Sequence, residues 1–216
     1  LFTAAAEQRL QTRSPLAARL RPRNLDDVVG QRHLLAPGQP LRSLIESDRL
    51  SSVIFWGPPG TGKTSLARLV AHTTEKVFEE LSAVTASVKD VREIIASSRQ
   101  RLGERGTGTI LFLDEVHRFN KAQQDTLLPA VEEGLIVLIG ATTETPHFEV
   151  TPPLMSRSTL FRLHALDDVD VAELVRRGLE IEGASADADA IAHLAGRAGG
   201  DGRHALTSTE VAVALA

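Results

Sequence analysis

The sequence predicts an α/β fold in which a parallel sheet flanked by helices is followed by a small all-helical domain. Three observations support this prediction. Short apolar runs alternate with amphipathic helical patterns, which indicates strands connected by helices that cover the sheet. The first apolar run leads into a loop rich in glycine and proline. The pattern changes after the proline pair at 152–153, and from Asp167 onward only helical periods follow.

Four apolar runs are the predicted strands. They lie at residues 53–56, 77–81, 110–113 and 135–139. Most of these runs are nearly all apolar, which is typical of strands buried on both faces of a parallel sheet. Helices are predicted over 63–71, 89–100 and 121–132, and a glycine-rich loop over 102–109.

Residues 164–216 are the predicted helical domain. Helical periods cover 168–181, 187–198 and 202–216, and Asp167 and Asp187 are placed as N-caps. We expect the α/β domain over 14–163 and a flexible N-terminal segment over 1–13. Because the chain begins without Met and stops within a helical pattern, we expect it to be part of a longer protein.

Composition narrows the classes of function. The 216 residues include no Cys, which excludes disulfide and thiolate chemistry and suits a reducing cytoplasm. The net charge of −4 argues against a generally basic surface for nucleic acid. Residues 1–23 nevertheless carry five Arg against one Glu, whereas 164–216 carry ten acidic residues against four Arg. The basic segment is either a solvated face or a local patch for nucleic acid.

The sequence GPPGTGKT matches the phosphate-binding pattern G-x-x-x-x-G-K-[ST] at every fixed position. Glycines let successive backbone N–H groups surround a phosphate, and the following helix directs its positive N-terminus at the same anion. Lys63 is expected to reach the β- and γ-phosphates of ATP, and the Thr64 hydroxyl to bind Mg²⁺. The candidate nucleotide-binding residues here are Gly57, Pro58, Pro59, Gly60, Thr61, Gly62, Lys63, Thr64 and Ser65.

Two adjacent carboxylates end the third predicted strand, in the sequence ILFLDEVH. Because side chains alternate along a strand, Asp114 and Glu115 point in different directions. One of them can hold Mg²⁺ through water while the other polarises the attacking water. We assign Asp114 to the metal and Glu115 to the water.

Further candidates follow the fourth strand. Thr142 and Thr143 end it, where a hydroxyl could sense the γ-phosphate, because the carboxyl ends of parallel strands line the ligand crevice. Arg157 lies farther along the chain. It could stabilise transition-state charge in a neighbouring subunit, or form a surface salt bridge.

Basic side chains near the strand ends are either DNA contacts or parts of solvated helix faces. Arg118 and Lys121 follow the carboxylates, and Lys89, Arg92 and Arg99 lie on the preceding predicted helix. His117 is expected to position the local backbone. The chain has no Tyr and one Trp, so it offers no aromatic row for stacking bases. Any DNA binding is therefore expected to use phosphates and to be salt-sensitive.

Together these motifs resemble the AAA+ ATPases, which are P-loop NTPases, and more narrowly their clamp-loader branch. Within that branch, the chain is similar to the replication-associated recombination protein A family, which includes the Werner helicase-interacting ATPase. The resemblance covers about residues 14–210. It rests on PLAARLRPRNLDDVVGQRHLL, LSSVIFWGPPGTGKTSLARLVA, LSAVTASVKDVREII, ILFLDEVHRFNKAQQDTLLPAVEEG and LIGATTETPHFEV. HRFNKAQQD is the most specific of these segments.

The resemblance implies further site residues. It places Val28 and Val29 near the adenine, Thr143 at the sensor-1 position with Thr142 as the alternative, and Arg157 as an arginine finger. The helical domain becomes a lid, whose GGDGRHAL motif places the sensor-2 residue at Arg203. The chain departs from the family pattern at Ala86 and Ser87, at Thr145, and at Gly202 and His204, and none of these departures removes a phosphate or metal contact.

The resemblance also implies a function. It predicts a Mg²⁺-dependent, DNA-stimulated ATPase that acts at stalled or gapped replication forks in recombination and repair, in the cytoplasm and associated with the nucleoid. Implied partners are DNA, the single-stranded DNA-binding protein, and further copies in a homotetramer held by a C-terminal domain outside this chain. The alternatives are a sliding-clamp loader subunit, a Holliday-junction branch-migration motor, an ATP-gated adaptor with little hydrolysis, and a protein-remodelling ATPase.

Overall fold

The computed structural model describes residues 14–216, so the predicted flexible segment over 1–13 lies outside the described residues. Contacts divide the described chain into two units. The sheet unit comprises Arg32–Pro58 and Lys63–Leu163. The helical unit comprises the described residues up to Gln31, together with Pro59–Gly62 and His164–Ala216. This division differs from the domains predicted from the sequence at 14–31 and 59–62, which group with the C-terminal helices.

The sheet unit contains a parallel five-stranded sheet in the order β2-β3-β4-β1-β5. Its strands are β1 (Val53–Trp56), β2 (Val77–Ser82), β3 (Thr109–Asp114), β4 (Ile136–Thr142) and β5 (Thr159–Arg162). The predicted α/β class is confirmed. β5 was not predicted, because only Leu160 and Phe161 of its four residues are apolar and it does not stand out as an apolar run.

Helices precede, connect and follow the strands. In chain order, the described helices are α1 (Leu16–Arg19), α2 (Arg32–Leu35), α3 (Pro40–Glu46), α4 (Lys63–His72), α5 (Val88–Arg105), α6 (Lys121–Glu132), α7 (Pro146–Glu149), α8 (Pro152–Met155), α9 (Asp168–Glu182), α10 (Ala188–Ala198) and α11 (Gly202–Leu215). One part of the core of the sheet unit is formed by buried side chains of β3 and β4 with the inner face of α6, where Leu127 is fully buried. This packing holds the C-terminal half of α6 against the sheet.

The glycine-rich loop predicted over 102–109 is wrong at its start, because α5 continues to Arg105. Ser87 caps the start of α5 in a capping box with Asp90. Gly103 is accommodated inside the helix, and the helix ends at Gly106, which has a left-handed φ of 66°. Glycine is the residue that adopts this C-terminal conformation at least cost. The residue that indicates the end of the helix is therefore Gly106 rather than Gly103.

Gly103→Ala is expected to stabilise the protein by about 0.5–1 kcal/mol, because alanine loses less backbone entropy than glycine in a helix. A methyl group at Gly103 meets no atom within 4 Å. Gly178→Ala is the matched control, since a methyl there would lie 2.9 Å from Leu16 Cδ2 and 3.2 Å from Leu206 Cδ2. Urea denaturation measures both variants. Equal stabilisation by the two substitutions would contradict this account.

The helical unit packs α9, α10 and α11 around a small apolar core, with α1 against α11. The predicted N-caps are confirmed: Asp167 accepts a hydrogen bond from the Asp170 N–H and Asp187 from the Ala190 N–H, both at 2.7 Å. Arg19 of the basic N-terminal segment forms an ion pair with Glu182, so part of that charge is satisfied within the unit. Among residues 14–216, no helix is both long and apolar enough to cross a membrane.

Candidate nucleotide-binding site

The phosphate loop begins between two neighbouring strands of the sheet unit. The Gly57 N–H donates to the Thr142 carbonyl at 3.2 Å, and the Leu163 N–H donates to the Trp56 carbonyl at 2.8 Å. Gly57 has a φ of 151°, and a Cβ there would lie 2.2 Å from the Leu163 carbonyl oxygen. Only glycine fits this position, which explains in packing terms why the motif starts with one.

Lys63 is the first residue of α4 and is 9% exposed. Its ammonium group donates to the Gly57 carbonyl at 2.8 Å and to the Pro58 carbonyl at 2.6 Å. A buried ammonium is costly unless it is paired, and here the loop itself holds the charge beside the N-terminus of the helix. This arrangement of a cation and a helix N-terminus is suited to a phosphate.

Thr64 and Ser65 follow in the first turn of α4 and are half-buried. The Thr64 hydroxyl makes no hydrogen bond to the residues that the structure describes. It is therefore available as an oxygen ligand, the type that Mg²⁺ prefers. Among the same residues there is no cluster of three or more His, Cys, Asp or Glu that could hold a metal.

Asp114 is the last residue of β3, the strand next to β4 in the sheet. Burial raises the pKa of its carboxyl group, and the charges of Glu115 and Glu80 raise it further. The Glu115 N–H, which donates to Asp114 Oδ1 at 3.1 Å, and the Lys63 ammonium act in the opposite direction. Negative charge is thus concentrated around a partly buried oxygen. A cation bound there would stabilise the ionised carboxylate.

Glu115 has a left-handed backbone, with φ 54° and ψ 48°. Such a conformation is uncommon for a residue other than glycine and is found at functional sites. It ends β3 and starts the short 3-10 helix Val116–Arg118. The Arg118 Nε–H donates to Glu115 Oε2 at 2.8 Å. The guanidinium that the sequence suggested as a DNA contact therefore binds the carboxylate assigned to water activation.

The two threonines at the end of β4 have different surroundings. Thr142 is 1% exposed, lies 2.9 Å from His117 Nδ1 through its Oγ1, and accepts a hydrogen bond from the Glu144 N–H. Thr143 is exposed. Thr143 thus has the more accessible hydroxyl, and Thr142 links the end of β4 to the histidine that follows β3. His117 contacts this side chain rather than only the local backbone.

Arg157 lies near the amino ends of the strands, at the end of the sheet opposite to the carboxylates. It follows α8 and precedes β5, whose first residue is paired with Val53 at the amino end of β1. Asp114 and Glu115 stand at the carboxyl ends of the strands. β1 alone spans about 13 Å. The sheet unit therefore brings together Lys63, Thr64, Asp114, Glu115 and the threonines, but it holds Arg157 apart from them.

The tip of the phosphate loop, Pro59–Gly62, packs within the helical unit. The Gly202 N–H donates to the Gly60 carbonyl at 3.2 Å. A Cβ at Gly60 would lie 1.8 Å from Asp201 Oδ1, so this position also requires glycine. Arg203 follows Gly202 in the first turn of α11 and is exposed. The residue assigned to sensor 2 is thus adjacent in sequence to a direct contact with the loop.

Val28 and Val29 are half-buried and follow the 3-10 helix Leu25–Asp27 in the helical unit. The next residues, Gly30 and Gln31, have φ values of 76° and 53°. Gln31 is 6% exposed, and its side-chain amide donates to the Thr61 carbonyl at 3.3 Å. The segment predicted to contact adenine is therefore tied to the tip of the phosphate loop.

Sequence reasoning missed several residues that build this arrangement. Gln31 links the Val28–Val29 segment to Thr61, and Asp201 and Gly202 contact Gly60. The one feature of the sequence that pointed to Gln31 was its place as a polar residue directly after VVG, in a stretch without helical or strand periodicity. Such a residue must satisfy its polar groups elsewhere, but its partner cannot be read from local sequence.

Comparisons with known proteins agree with the geometry. Residues 53–165 match the model of the ATPase family associated with various cellular activities (AAA). An AAA domain-containing protein of Mycobacterium tuberculosis is 50% identical over 208 residues, covering 94% of this chain and 46% of that protein. Replication-associated recombination protein A of Escherichia coli is 50% identical over 169 residues, covering 78% of this chain and 38% of that protein. The chain spans less than half of the length of these curated relatives.

A solved structure extends the comparison to the fold. The RuvB Holliday junction branch migration motor of Thermotoga maritima superimposes with a TM-score of 0.72 at 30% identity, covering 88% of this chain and 64% of that one. The similarity to replication-associated recombination protein A confirms the resemblance stated from the sequence. Because the family model covers more than half of the chain and includes β1, the loop and both carboxylates, the chain belongs to the AAA family of ATPases.

Proposed function

We propose that this chain is the nucleotide-binding module of a Mg²⁺-dependent, DNA-stimulated ATPase acting in replication and recombination. The observation that carries the proposal is that two elements both lie at the carboxyl ends of the strands. The phosphate loop after β1 presents Lys63 and Thr64, and β3 ends in Asp114 and Glu115. The 50% identity to replication-associated recombination protein A supports the DNA context.

Each residue then has a distinct task. Lys63 and the backbone N–H groups of Gly57–Thr64 hold the ATP phosphates, and Thr64 and Asp114 hold Mg²⁺. Bound Mg²⁺ neutralises charge that develops on the phosphate oxygens. Glu115 polarises the attacking water, which its position one residue beyond the metal ligand favours. Ser65 belongs to the same turn, and Thr143 senses the γ-phosphate. In the helical unit, Val28 and Val29 contact the adenine, and Arg203 serves as sensor 2.

Hydrolysis is proposed to require two subunits. Arg157 lies near the amino ends of the strands, whereas the carboxylates of its own chain lie at the carboxyl ends. An arginine so placed can complete a site only in a neighbouring copy, where it would stabilise transition-state charge. This favours an oligomer, proposed to be a homotetramer in the full-length protein, because the full site is assembled only between copies.

The proposed DNA partner is a stalled or gapped replication fork, bound through its phosphates. Exposed cations on the sheet unit include Lys89, Arg92 and Lys121. Contacts of this kind make affinity fall steeply with salt. The single-stranded DNA-binding protein is a proposed partner, and the nucleoid in the cytoplasm is the proposed location.

A second candidate function is a Holliday-junction branch-migration motor. The observation that favours it is the structural similarity to the RuvB motor, with a TM-score of 0.72. The higher identity to replication-associated recombination protein A, 50% against 30%, makes the fork-associated function the better supported of the two. The two functions differ in the DNA structure that stimulates hydrolysis.

We expect the steady-state ATP hydrolysis of the full-length protein to rise several-fold with duplex DNA that carries a single-strand gap or end. The increase should disappear in Arg157→Ala, because charge stabilisation by an arginine from a neighbour is worth about 10³–10⁵ in rate. An immobile Holliday junction of equal length serves as the comparison substrate, and intact duplex as the control.

The outcomes separate the candidates. Stimulation by the junction alone would favour the branch-migration motor. Equal rates with and without every DNA, together with stimulation by a protein partner, would contradict the DNA-stimulated function and support an adaptor or remodelling ATPase. Wild-type hydrolysis in Arg157→Ala would contradict hydrolysis between subunits.

A further inference from the structure

The Arg157 guanidinium is held by three partners within the sheet unit. Its Nη1 donates to the Pro153 carbonyl at 2.9 Å and to the Ser156 hydroxyl at 3.0 Å, and its Nη2 forms an ion pair with Glu132. The side chain is nonetheless 38% exposed. Its Nε–H has no partner among residues 14–216, so at least this donor remains for an external anion.

The three partners of Arg157 come from different parts of the sheet unit. Pro153 and Ser156 lie within four residues of Arg157, in α8 and directly after it, and the buried Leu154 packs α8 into the same core. Glu132 is the last residue of α6, a helix anchored to the sheet by the buried Leu127 and Val131. Among the described residues, Glu132 is the one partner of the guanidinium that comes from another helix, and it fixes the direction of the guanidinium toward α6.

Stability alone does not account for this ion pair. Glu132 is 41% exposed and Arg157 38%, and exposed ion pairs of this kind contribute little to folding, because solvent screens them and the side chains lose rotamer freedom. That loss of freedom is, however, what a guanidinium needs if it must meet a phosphate in one geometry. Pre-organised arginine loses less entropy when it forms its fork of hydrogen bonds.

We infer that Glu132 is a positioning residue for the arginine that each subunit supplies to its neighbour. This inference rests on the proposed function of Arg157. Glu132 does not touch the reacting atoms. It acts through the guanidinium, which it holds at a fixed distance and angle from the sheet.

The adjacent residue provides a matched control. Glu133 also pairs with an arginine, Arg99, at 3.0 Å, and both side chains are exposed. Glu132→Gln and Glu133→Gln each remove one charge and one ion pair, one residue apart at the end of α6. They differ in whether the partner is Arg157.

We expect Glu132→Gln to lower kcat for ATP about ten-fold in the full-length protein with DNA, while KM for ATP stays within two-fold of wild type. A misplacement of about 1 Å is sufficient for an effect of this size or larger. Glu133→Gln should match wild type. The double variant Glu132→Gln/Arg157→Ala should be no slower than Arg157→Ala, since one residue acts through the other.

A mixing experiment tests the direction of the effect. Glu132→Gln subunits retain Glu115, and Glu115→Gln subunits retain a correctly held Arg157. Equal mixtures should hydrolyse ATP faster than the mean of the two variants measured alone, because each kind of subunit supplies what its neighbour lacks. Such recovery also shows that the Glu132→Gln chain is folded.

Three results would overturn the inference: a Glu132→Gln rate equal to or above wild type, an equal loss in Glu133→Gln, or a mixture that shows no recovery. If Arg157→Ala is slow while Glu132→Gln is not, only the positioning role fails. If Arg157→Ala itself hydrolyses ATP at the wild-type rate, the proposed function of Arg157 fails as well.

Discussion

Glu115→Gln is expected to retain ATP binding and to lose about 10²- to 10⁴-fold in turnover, the range typical of removing a general base. Glutamine keeps the shape and the left-handed backbone at this position, but it cannot polarise water as a carboxylate does. Glu115 lies directly after Asp114, at the carboxyl ends of the strands, where the phosphate loop also begins. Binding of a fluorescent ATP analogue and single-turnover hydrolysis measure the two effects separately.

Glu173→Gln is the control for this variant. Glu173 also pairs with an arginine three residues later, and its side chain is 42% exposed, as is that of Glu115. Its removal should leave turnover unchanged. Normal turnover in Glu115→Gln would contradict the assignment of the water-activating residue, and loss of ATP binding would indicate a structural role instead.

Gly57→Ala is expected to abolish ATP binding and to lower the free energy of unfolding by about 3 kcal/mol or more, the size typical of severe steric clashes and backbone strain. The new Cβ would lie 2.2 Å from the Leu163 carbonyl oxygen, at a φ of 151°. Relief requires movement of the backbone, yet Gly57 and Leu163 are both hydrogen-bonded to neighbouring strands. Urea denaturation and ATP titration measure the two losses.

Gly103→Ala serves again as the comparison, since it makes the same chemical change where no atom lies within 4 Å. A Gly57→Ala protein with wild-type stability and ATP affinity would show that the start of the loop can shift by more than an ångström without loss. That result would contradict the close approach described for Gly57 and Leu163.

The sequence was sufficient to predict the elements whose signals are local. Buried strands show as apolar runs, and the phosphate loop has several fixed positions in eight residues. Asp167 and Asp187 could be predicted as caps because a cap bonds to N–H groups two or three residues away. The carboxylates were identifiable because they directly follow an apolar strand.

Contacts between distant residues were not predictable in the same way. Gln31 and Thr61 are thirty residues apart, and no periodicity links them. β5 was missed because only two of its four residues are apolar, and the extent of α5 was missed because a glycine inside a helix costs only about 1 kcal/mol. Glu132 could have been read as an ordinary solvated residue at the end of a helix, and only its contact with Arg157 distinguishes it.

The placement of Arg157 sets a geometric condition on the proposed assembly of this chain. An isologous contact joins identical patches of two subunits across a two-fold axis. Arg157 and the carboxylates lie at opposite ends of the strands, so an isologous contact joins them only if its patch covers the whole length of the strands. A heterologous, head-to-tail contact meets this condition more simply, because it joins the amino ends of one sheet to the carboxyl ends of the next, and it closes into a ring or continues as an open helix. If the proposed tetramer is built from head-to-tail contacts alone, it has four complete sites only as a closed ring, and an open chain of four subunits would leave one arginine unused.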